Sequence, residues 1–503
     1  MVSQASGITQ AGVLLPGFVG ETLPDWLAVR LRAGLAGVCL FGQNIVSAAQ
    51  LAELTAAIRA ANPLAVIAVD EEGGDVTRLH DRVGSPYPGN AILGRTDDVD
   101  YTTAIATTVG WELRRAGCTL DFAPDVDINS NPDNPVIGVR SFGTDASLVA
   151  RHSAAWVTGL QSTGIGGSAK HFPGHGDTAL DSHLALPVID RSLDQLRDRE
   201  LVPFVAAIAA GVRTIMTSHI MVPQLDAQYP ATFSPTVLGG LLRGELGFEG
   251  VIVTDALDMA GASGEIGIPE AAVRAVAAGC DLLCIGTENT AEQLDDIERA
   301  LADAVATGRL HPERLTDAAS RVGRLARDCI KDAHDIPLPA YTSEPRFSLE
   351  RTIAVFDTAA FDTAVFDTAV FDTAVLDTAA FSAAGLRIQP DRAIVVLETE
   401  ANIAVGASPW GPAAAGAEVF VVREGEALEL PPGTQPVVVG RGNHRQAWVR
   451  SLIDEARRKH PSTVVVEMGW PSDDRRYAEV ATFGASRHAG LALLLWLERK
   501  AGA

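Results

Sequence analysis

Eight short apolar runs recur along roughly the first 330 residues, and most lead into a segment whose apolar positions follow helical spacing. The runs cover residues 12–16, 35–41, 64–69, 119–126, 165–169, 213–216, 250–253 and 281–285. They are near-continuous in Val, Ile, Leu and Ala, not alternating. Strands of that kind are buried on both faces, as in a parallel sheet covered by crossover helices. Helical segments are expected at 23–33, 47–61, 101–116, 147–162, 193–210, 235–244, 270–278, 291–305 and 312–327. The economical arrangement is a closed (β/α)8 barrel over residues 1–336; an open doubly wound sheet is the alternative. Polar residues stand just past the runs: Asp70-Glu71-Glu72, Asp125 and Asp127, Lys170-His171, Ser218-His219 and Asp255. On a barrel these positions share one rim and converge on one axis, whereas an open sheet strings them along an edge.

The chain has 503 residues, well beyond the ~150 expected of one domain. Residues 337–350 read as a linker, proline-rich at 337–346 (PLPAYTSEPR). Segment 351–381 holds a five-residue repeat, FDTAA-FDTAV-FDTAV-FDTAV-LDTAA-F, from Phe356 to Phe381. A period of five fits neither helix nor strand. It is loosely similar to pentapeptide β-helices, but five units are too few to bury a core. A spacer without chemistry is expected there. Residues 382–503 carry apolar runs at 394–397, 419–422, 437–439 and 464–466 and helical patterns at 447–459 and 489–500, which predict a smaller α/β sandwich. The polar stretches at 441–444 and 482–488 read as turn chemistry.

Forty basic against 63 acidic residues give a net charge of -23, so neither nucleic acid nor an anionic membrane is expected as a partner. No apolar run approaches the ~20 residues that span a bilayer. The first residues lack a basic stretch followed by a long apolar core, and the five cysteines lie without zinc-type spacing, two of them in apolar runs. Free buried thiols and a cytoplasmic setting are expected.

Chemistry concentrates in residues 170–187, KHFPGHGDTALDSHLALP, where His171, His175, His183, Asp177, Asp181 and Lys170 crowd into one loop-like stretch. Such density suits a loop at an active-site rim. Three further stretches stand out: DEEGGDVTR at 70–78, NPVIGVRSFG at 134–143 presenting Arg140, and VIVTDALDM at 251–259 with Asp255 just past a buried run. Carboxylates that accept and guanidinium groups that donate suit the gripping of sugar hydroxyls. The residues alone do not separate His183 from His175 as a proton-transfer group. Asp258 reads as a helix-start acid, Glu71 and Glu72 as loop carboxylates, and His219 equally as a sugar contact or a satisfied strand-end histidine. Asp125 and Asp127 show no metal-ligand spacing, so no metal or other cofactor is expected.

Together KHFPGHGDT…DSH, VDEEGG with Arg78, and VTDALDM resemble glycoside hydrolase family 3, in its β-N-acetylglucosaminidase branch. The resemblance implies a β/α barrel followed by an α/β sandwich. It implies removal of terminal, non-reducing β-linked N-acetylglucosamine with retention of configuration, commonly from cell-wall muropeptide fragments. It assigns Asp255 as nucleophile, His183 as general acid/base, Asp181 as the partner of His183, and Asp70, Arg78, Arg140, Lys170 and His171 as sugar-binding. His175 and Asp177 are then structural, bonding within their loop. Retention needs a carboxylate that bonds to the anomeric carbon and a second group that first gives and then takes a proton. A carboxylate–histidine pair meets the second need. The alternative is a phosphorylase that takes inorganic phosphate as acceptor, because imidazole repels an incoming anion less than a carboxylate does.

Overall fold

The structure, a computed structural model, describes residues 10–178, 186–340, 347–358, 386–399 and 402–502. The eight apolar runs form eight short strands: β1 Leu14–Leu15, β2 Gly37–Leu40, β3 Val66–Val69, β4 Leu120–Asp121, β5 Gly166–Phe172, β6 Thr214–Thr217, β7 Val251–Val253 and β8 Leu283–Cys284. β2 to β7 are hydrogen-bonded side by side in chain order, and β8 pairs with β1, all in parallel. Two local contacts close the ring. Val253 bridges Leu282 between β7 and β8, and the Cys39 N–H donates to the Pro16 carbonyl at 2.9 Å between β1 and β2. Every residue of β2, β3, β5, β6 and β7 is buried, which is why these runs lack alternation.

Around the ring, helices start where side chains satisfy the first free N–H groups. Ser47, Asp98, Asp145 and Thr290 each accept from the backbone three residues on, heading Ala48–Ala61, Val99–Ala116, Ala146–Gln161 and Ala291–Ala306. The apolar faces of Val99–Ala116 and Ala146–Gln161 bury Ile105, Val109, Leu113, Trp156 and Leu160 in the main core. Close strand approach fixes some residue types: a Cβ on Gly37 would lie 1.9 Å from the Val66 carbonyl oxygen. The helix expected at 193–210 is instead two, Leu193–Asp198 and Leu201–Ala209. Pro203 lacks the N–H that a continuous helix would send to Arg199, and its ring crowds that carbonyl. Helix Asn90–Thr96 was not expected, and Pro312–Asp335 continues past Arg327. The five cysteines are free and buried.

The second sheet is also parallel, in the order β10-β9-β11-β12-β13, from β9 Arg392–Leu397, β10 Phe420–Val422, β11 Gln435–Gly440, β12 Val464–Glu467 and β13 Val480–Ala481. Its residues alternate between two helix layers. Val438 and Val465 pack on Val449 and Ile453 of helix Ala447–Lys459. Val437, Val439 and Val466 face Leu493 and Trp496 of helix Arg487–Ala501, in a cluster that also takes Ala91 and Ile92 from the barrel. The last helix is therefore packed between the sheet and the barrel. At two residues, β13 is too short to leave a periodic signal. Helix Leu349–Ala354 crosses from the expected linker into the expected repeat segment, and Thr352 joins His488 through a 2.8 Å hydrogen bond. Phe356 is buried and Asp357 bridges Ala481, while residues 359–381 of the repeat lie outside the described residues. Among the described residues no helix is long and apolar enough to cross a membrane.

Gly37→Ala should destabilise the barrel by about 1–3 kcal/mol, because the added carbon meets backbone and not a movable side chain. A lowered denaturant midpoint in chemical unfolding checks this; an unchanged midpoint would mean that β2 and β3 separate without cost.

Candidate active site

At the C-terminal ends of the barrel strands lies a cleft of about 320 Å³ whose lining includes Asp70, Arg78, Arg140, Lys170, His171 and Asp255. These are six of the eight candidates; Asp181 and His183 lie outside the described residues. Asp70 follows β3, Lys170 and His171 end β5, and Asp255 stands just past β7. They are far apart in sequence and meet because parallel strands deliver their C-terminal ends to one rim.

The floor of the cleft is an ion network. Lys170 Nζ lies 2.7 Å from Asp70 Oδ1 and 2.6 Å from Glu72 Oε1. Arg140 grips Glu72 with both prongs, Nε to Oε2 at 2.9 Å and Nη2 to Oε1 at 2.7 Å. Burial alone would neutralise Glu72, but the two cations outweigh it and hold the carboxyl far below its usual range. Burial likewise disfavours the Lys170 ammonium, and the Asp70 and Glu72 carboxylates outweigh it and keep it charged. Glu72 is thus central, where the sequence suggested a plain loop carboxylate. Its neighbour Glu71 points the other way and accepts from Thr77 Oγ1 and from the Arg78 and Leu79 N–H groups, each at 2.9 Å, which folds the 71–79 loop.

A second network orients His171. Its Nδ1 meets Asp127 Oδ2 at 2.7 Å, and its Nε2 faces Arg140 Nη2 at 3.4 Å. Asp127 also accepts the His175 N–H at 2.6 Å. Asp125, Asp127 and His171 place ligand-type atoms within 4.8 Å of one another, a grouping that chain spacing hides. Positive charge is already supplied there by Arg140, 3.5 Å from Asp125 Oδ2.

His175 also lines the cleft, yet its environment is structural. The ring Nδ1 meets Thr178 Oγ1 at 2.8 Å and its carbonyl accepts from Asn134 Nδ2 at 2.8 Å. Burial holds its pKa down at about 4, so the imidazole is neutral near pH 7 and a poor general acid there. A Cβ on the next residue, Gly176, would lie 1.6 Å from the Ile128 carbonyl oxygen, so this turn admits only glycine. Asp177 does not bond only within its loop, as expected; it accepts from Arg191 at 2.8 Å and Arg199 at 2.9 Å, because the chain beyond returns beside it.

Around Asp255 the supports are local. Its Oδ1 accepts the Ala256 N–H at 2.8 Å, and the Ala256 carbonyl accepts from His219 Nε2 at 3.0 Å. His219 is fully buried, with Nδ1 on Thr232 Oγ1 at 2.9 Å, and braces the chain just past β7. Asp258 lies at a helix start, one residue before the Met259 that caps helix Ala260–Ser263, and its Oδ2 accepts the Thr287 N–H at 3.1 Å, bracing the loop after β8.

One wall of the cleft comes from the second sheet's domain, at Ile403 and Ala404. Arg78 donates to the Ala404 carbonyl at 2.7 Å and the Val405 carbonyl at 3.3 Å. No motif marks that segment in the sequence.

Residues 24–325 match the description Glycosyl hydrolase family 3 N terminal domain. The chain belongs to glycosyl hydrolase family 3. It is 38% identical over 332 residues to beta-hexosaminidase A of Pseudoalteromonas piscicida, a match covering 60% of this chain and 55% of that protein. It is 39% identical over 284 residues to beta-hexosaminidase of Stenotrophomonas maltophilia (strain K279a), covering 54% of this chain and 83% of the relative. Among solved structures, the family 3 beta-N-acetylglucosaminidase of Paenibacillus sp. str. FPU-7 superposes with a TM-score of 0.82 at 29% identity, covering 99% of this chain and 97% of that one. The family match ends before the second sheet, whereas the structural likeness runs through it.

Glu72→Gln should cost about 3 kcal/mol of stability, because Lys170 and Arg140 stay buried with their shared counter-charge gone. Chemical denaturation checks this against Glu71→Gln. Acidification gives a second readout. The unfolded chain protonates His175 near pH 6.5, while the folded protein resists until about pH 4. Stability therefore falls as pH drops from 6.5 to 4, by up to about 3 kcal/mol. His175→Gln should remove that part of the slope, measured as the variant-minus-parent difference at pH 7 and pH 4.5.

Proposed function

We propose that this family 3 protein is a retaining, exo-acting β-N-acetylglucosaminidase. The reading is carried by one observation: Asp255 shares a single cleft with the Asp70–Lys170–Glu72–Arg140–His171 network. Such a network suits a bound pyranose, since Lys170 and Arg140 donate to hydroxyls while Asp70 accepts from them. The hexosaminidase names of the relatives support the sugar. Terminal N-acetylglucosamine on cell-wall fragments, met in the cytoplasm, is the substrate class we favour, and it rests on the family resemblance.

In the first step the Asp255 carboxylate bonds to the anomeric carbon as the glycosidic C–O bond breaks, and His183 gives its proton to the departing oxygen. Asp181 supports the imidazolium form beforehand and the ring orientation throughout. In the second step His183 takes a proton from water, whose oxygen bonds to the anomeric carbon and releases Asp255. Two displacements at one carbon restore the β configuration. His183 and not His175 is assigned as the acid, because burial holds the His175 pKa down at about 4.

Asp255→Asn should lower kcat on p-nitrophenyl β-N-acetylglucosaminide by about 10³-fold or more; unchanged turnover would sink the nucleophile assignment. His183→Ala should slow substrates with poor leaving groups by about 10²–10⁴-fold and spare p-nitrophenyl far more, since a good leaving group needs no proton. Product analysis with phosphate varied separates the two acceptors. Free sugar at a phosphate-independent rate is expected, and N-acetylglucosamine 1-phosphate would establish the phosphorylase reading instead.

A further inference from the structure

We infer that Ile403 and Ala404, presented by the second domain, form the wall that stops the sugar site at the non-reducing end and so make the enzyme exo-acting. The inference rests on the assignment of Asp255 as nucleophile in a β-N-acetylglucosaminidase, and it names the residues that limit which glycosides that site admits.

The position follows from the barrel. Asp255 stands past β7, and the loops that hold segment 402–406 follow β3 and β4. In a closed ring of eight strands, β3 and β7 are four places apart and face each other across the axis. If C1 of the sugar lies against Asp255, the opposite ring corner, C4, points across the cleft towards the β3 and β4 loops. The Asp70, Lys170 and Arg140 network on that side receives the hydroxyls away from the anomeric carbon. Segment 402–406 closes over the same side.

It is held there firmly. Asn402 Nδ2 donates to the Pro135 carbonyl at 3.0 Å and to the Val136 carbonyl at 3.1 Å. The Val136 carbonyl also accepts from Arg140 Nη1 at 3.2 Å, so a guanidinium of the sugar network and the second-domain loop share one acceptor. Arg78 binds the carbonyls on the loop's other side. Within the loop, the Val405 and Gly406 N–H groups turn back to the Asn402 carbonyl at 3.1 and 3.0 Å. The anchors are all backbone carbonyls or the Asn402 side chain, and none is the side chain of Ile403 or Ala404. Ile403 nevertheless lines the cleft and is 54% exposed. The loop's anchoring hydrogen bonds do not use this half-exposed, β-branched side chain. It presents bulk where a 4-O-substituent would have to pass.

The test compares p-nitrophenyl β-N-acetylglucosaminide with its 4-O-methyl ether on the full-length protein. The parent should turn over the first and discriminate strongly against the second. Ile403→Ala, and separately the double change Ile403→Gly with Ala404→Gly, should raise the 4-O-methyl to 4-hydroxyl ratio of kcat/KM by about tenfold or more. Ile403→Ala leaves every anchoring hydrogen bond in place, so its result does not depend on the double variant folding. A ratio within about twofold of the parent in Ile403→Ala, with the unsubstituted substrate still hydrolysed, would overturn the wall alone. A parent inactive on the unsubstituted glycoside would overturn the β-N-acetylglucosaminidase reading and the wall with it. A shift confined to different leaving groups, at a constant 4-O-methyl ratio, would place Ile403 on the aglycone side and also overturn the inference.

Discussion

Lys170 Nζ and both prongs of Arg140 converge on the Glu72 carboxylate, and the three side chains are 5% exposed or less. Each charge alone would be expensive to bury, by several kcal/mol. Together they compensate one another only while the geometry is kept, because the attraction depends on contacts below 3 Å and on the near absence of water. That requirement reaches outward. Glu72 must leave β3 in one direction and Glu71 in the other; Arg140 must be carried back by the long loop after β4; Lys170 must sit at the end of β5. Three neighbouring strands are thereby locked at their C-terminal ends. The polar floor is held by the protein's own ion pairs, a preorganisation that suits recognition of many hydroxyls.

The second domain acts as part of the same construction. Helix Arg487–Ala501 buries one face on its own sheet and meets the barrel helix Asn90–Thr96 through Ala91 and Ile92. The Ala485 N–H donates to Asp75 Oδ1 at 2.7 Å, and Arg445 donates to the Asn134 carbonyl at 2.8 Å. These contacts fall on the loops after β3 and β4, the two that also hold the 402–406 segment. Apolar packing fixes the distance between domains, and the hydrogen bonds fix the register of the loops that border the cleft.

Within residues 170–187 the ionisable groups divide by surroundings. Lys170 and His171 belong to the buried networks of β5. His175 is locked neutral in a turn where Gly176 has no room for a side chain, and Asp177 is tied to two arginines. A proton carrier near neutral pH needs an imidazole that can hold charge, and burial denies that to His175. The proposed carrier, His183, and its partner Asp181 stand further along the same stretch.

The fold class was legible because its signal is local. Continuous apolar runs such as residues 66–69 and 251–253 declare strands buried on both sides, and the helices between them repeat at 3.6. The site candidates were legible where chemistry interrupts that pattern, as at Asp70, Lys170-His171 and Asp255, and where motif strings resembled family 3. Residue order along the chain carries no information about which neighbour shares a charge. It could not separate Glu72, the shared counter-ion, from Glu71, a loop brace, since side-chain direction past a strand end is set by packing. Nor could it bring Asp125, Asp127 and His171 together, or show that Arg78 holds the Ala404 carbonyl some three hundred positions away. Pro203 marks the break between the two helices in the sequence itself, whereas nothing in the sequence marks Ile403 as lining the cleft. Strand type and helix starts follow from short-range periodicity and residue chemistry, so the sequence by itself determined them, and its motif strings offered the site candidates through their resemblance to family 3. Which carboxylate is buried, which histidine stays neutral and which domain closes the cleft depend on desolvation and on contacts between distant segments, and only the tertiary structure decided those.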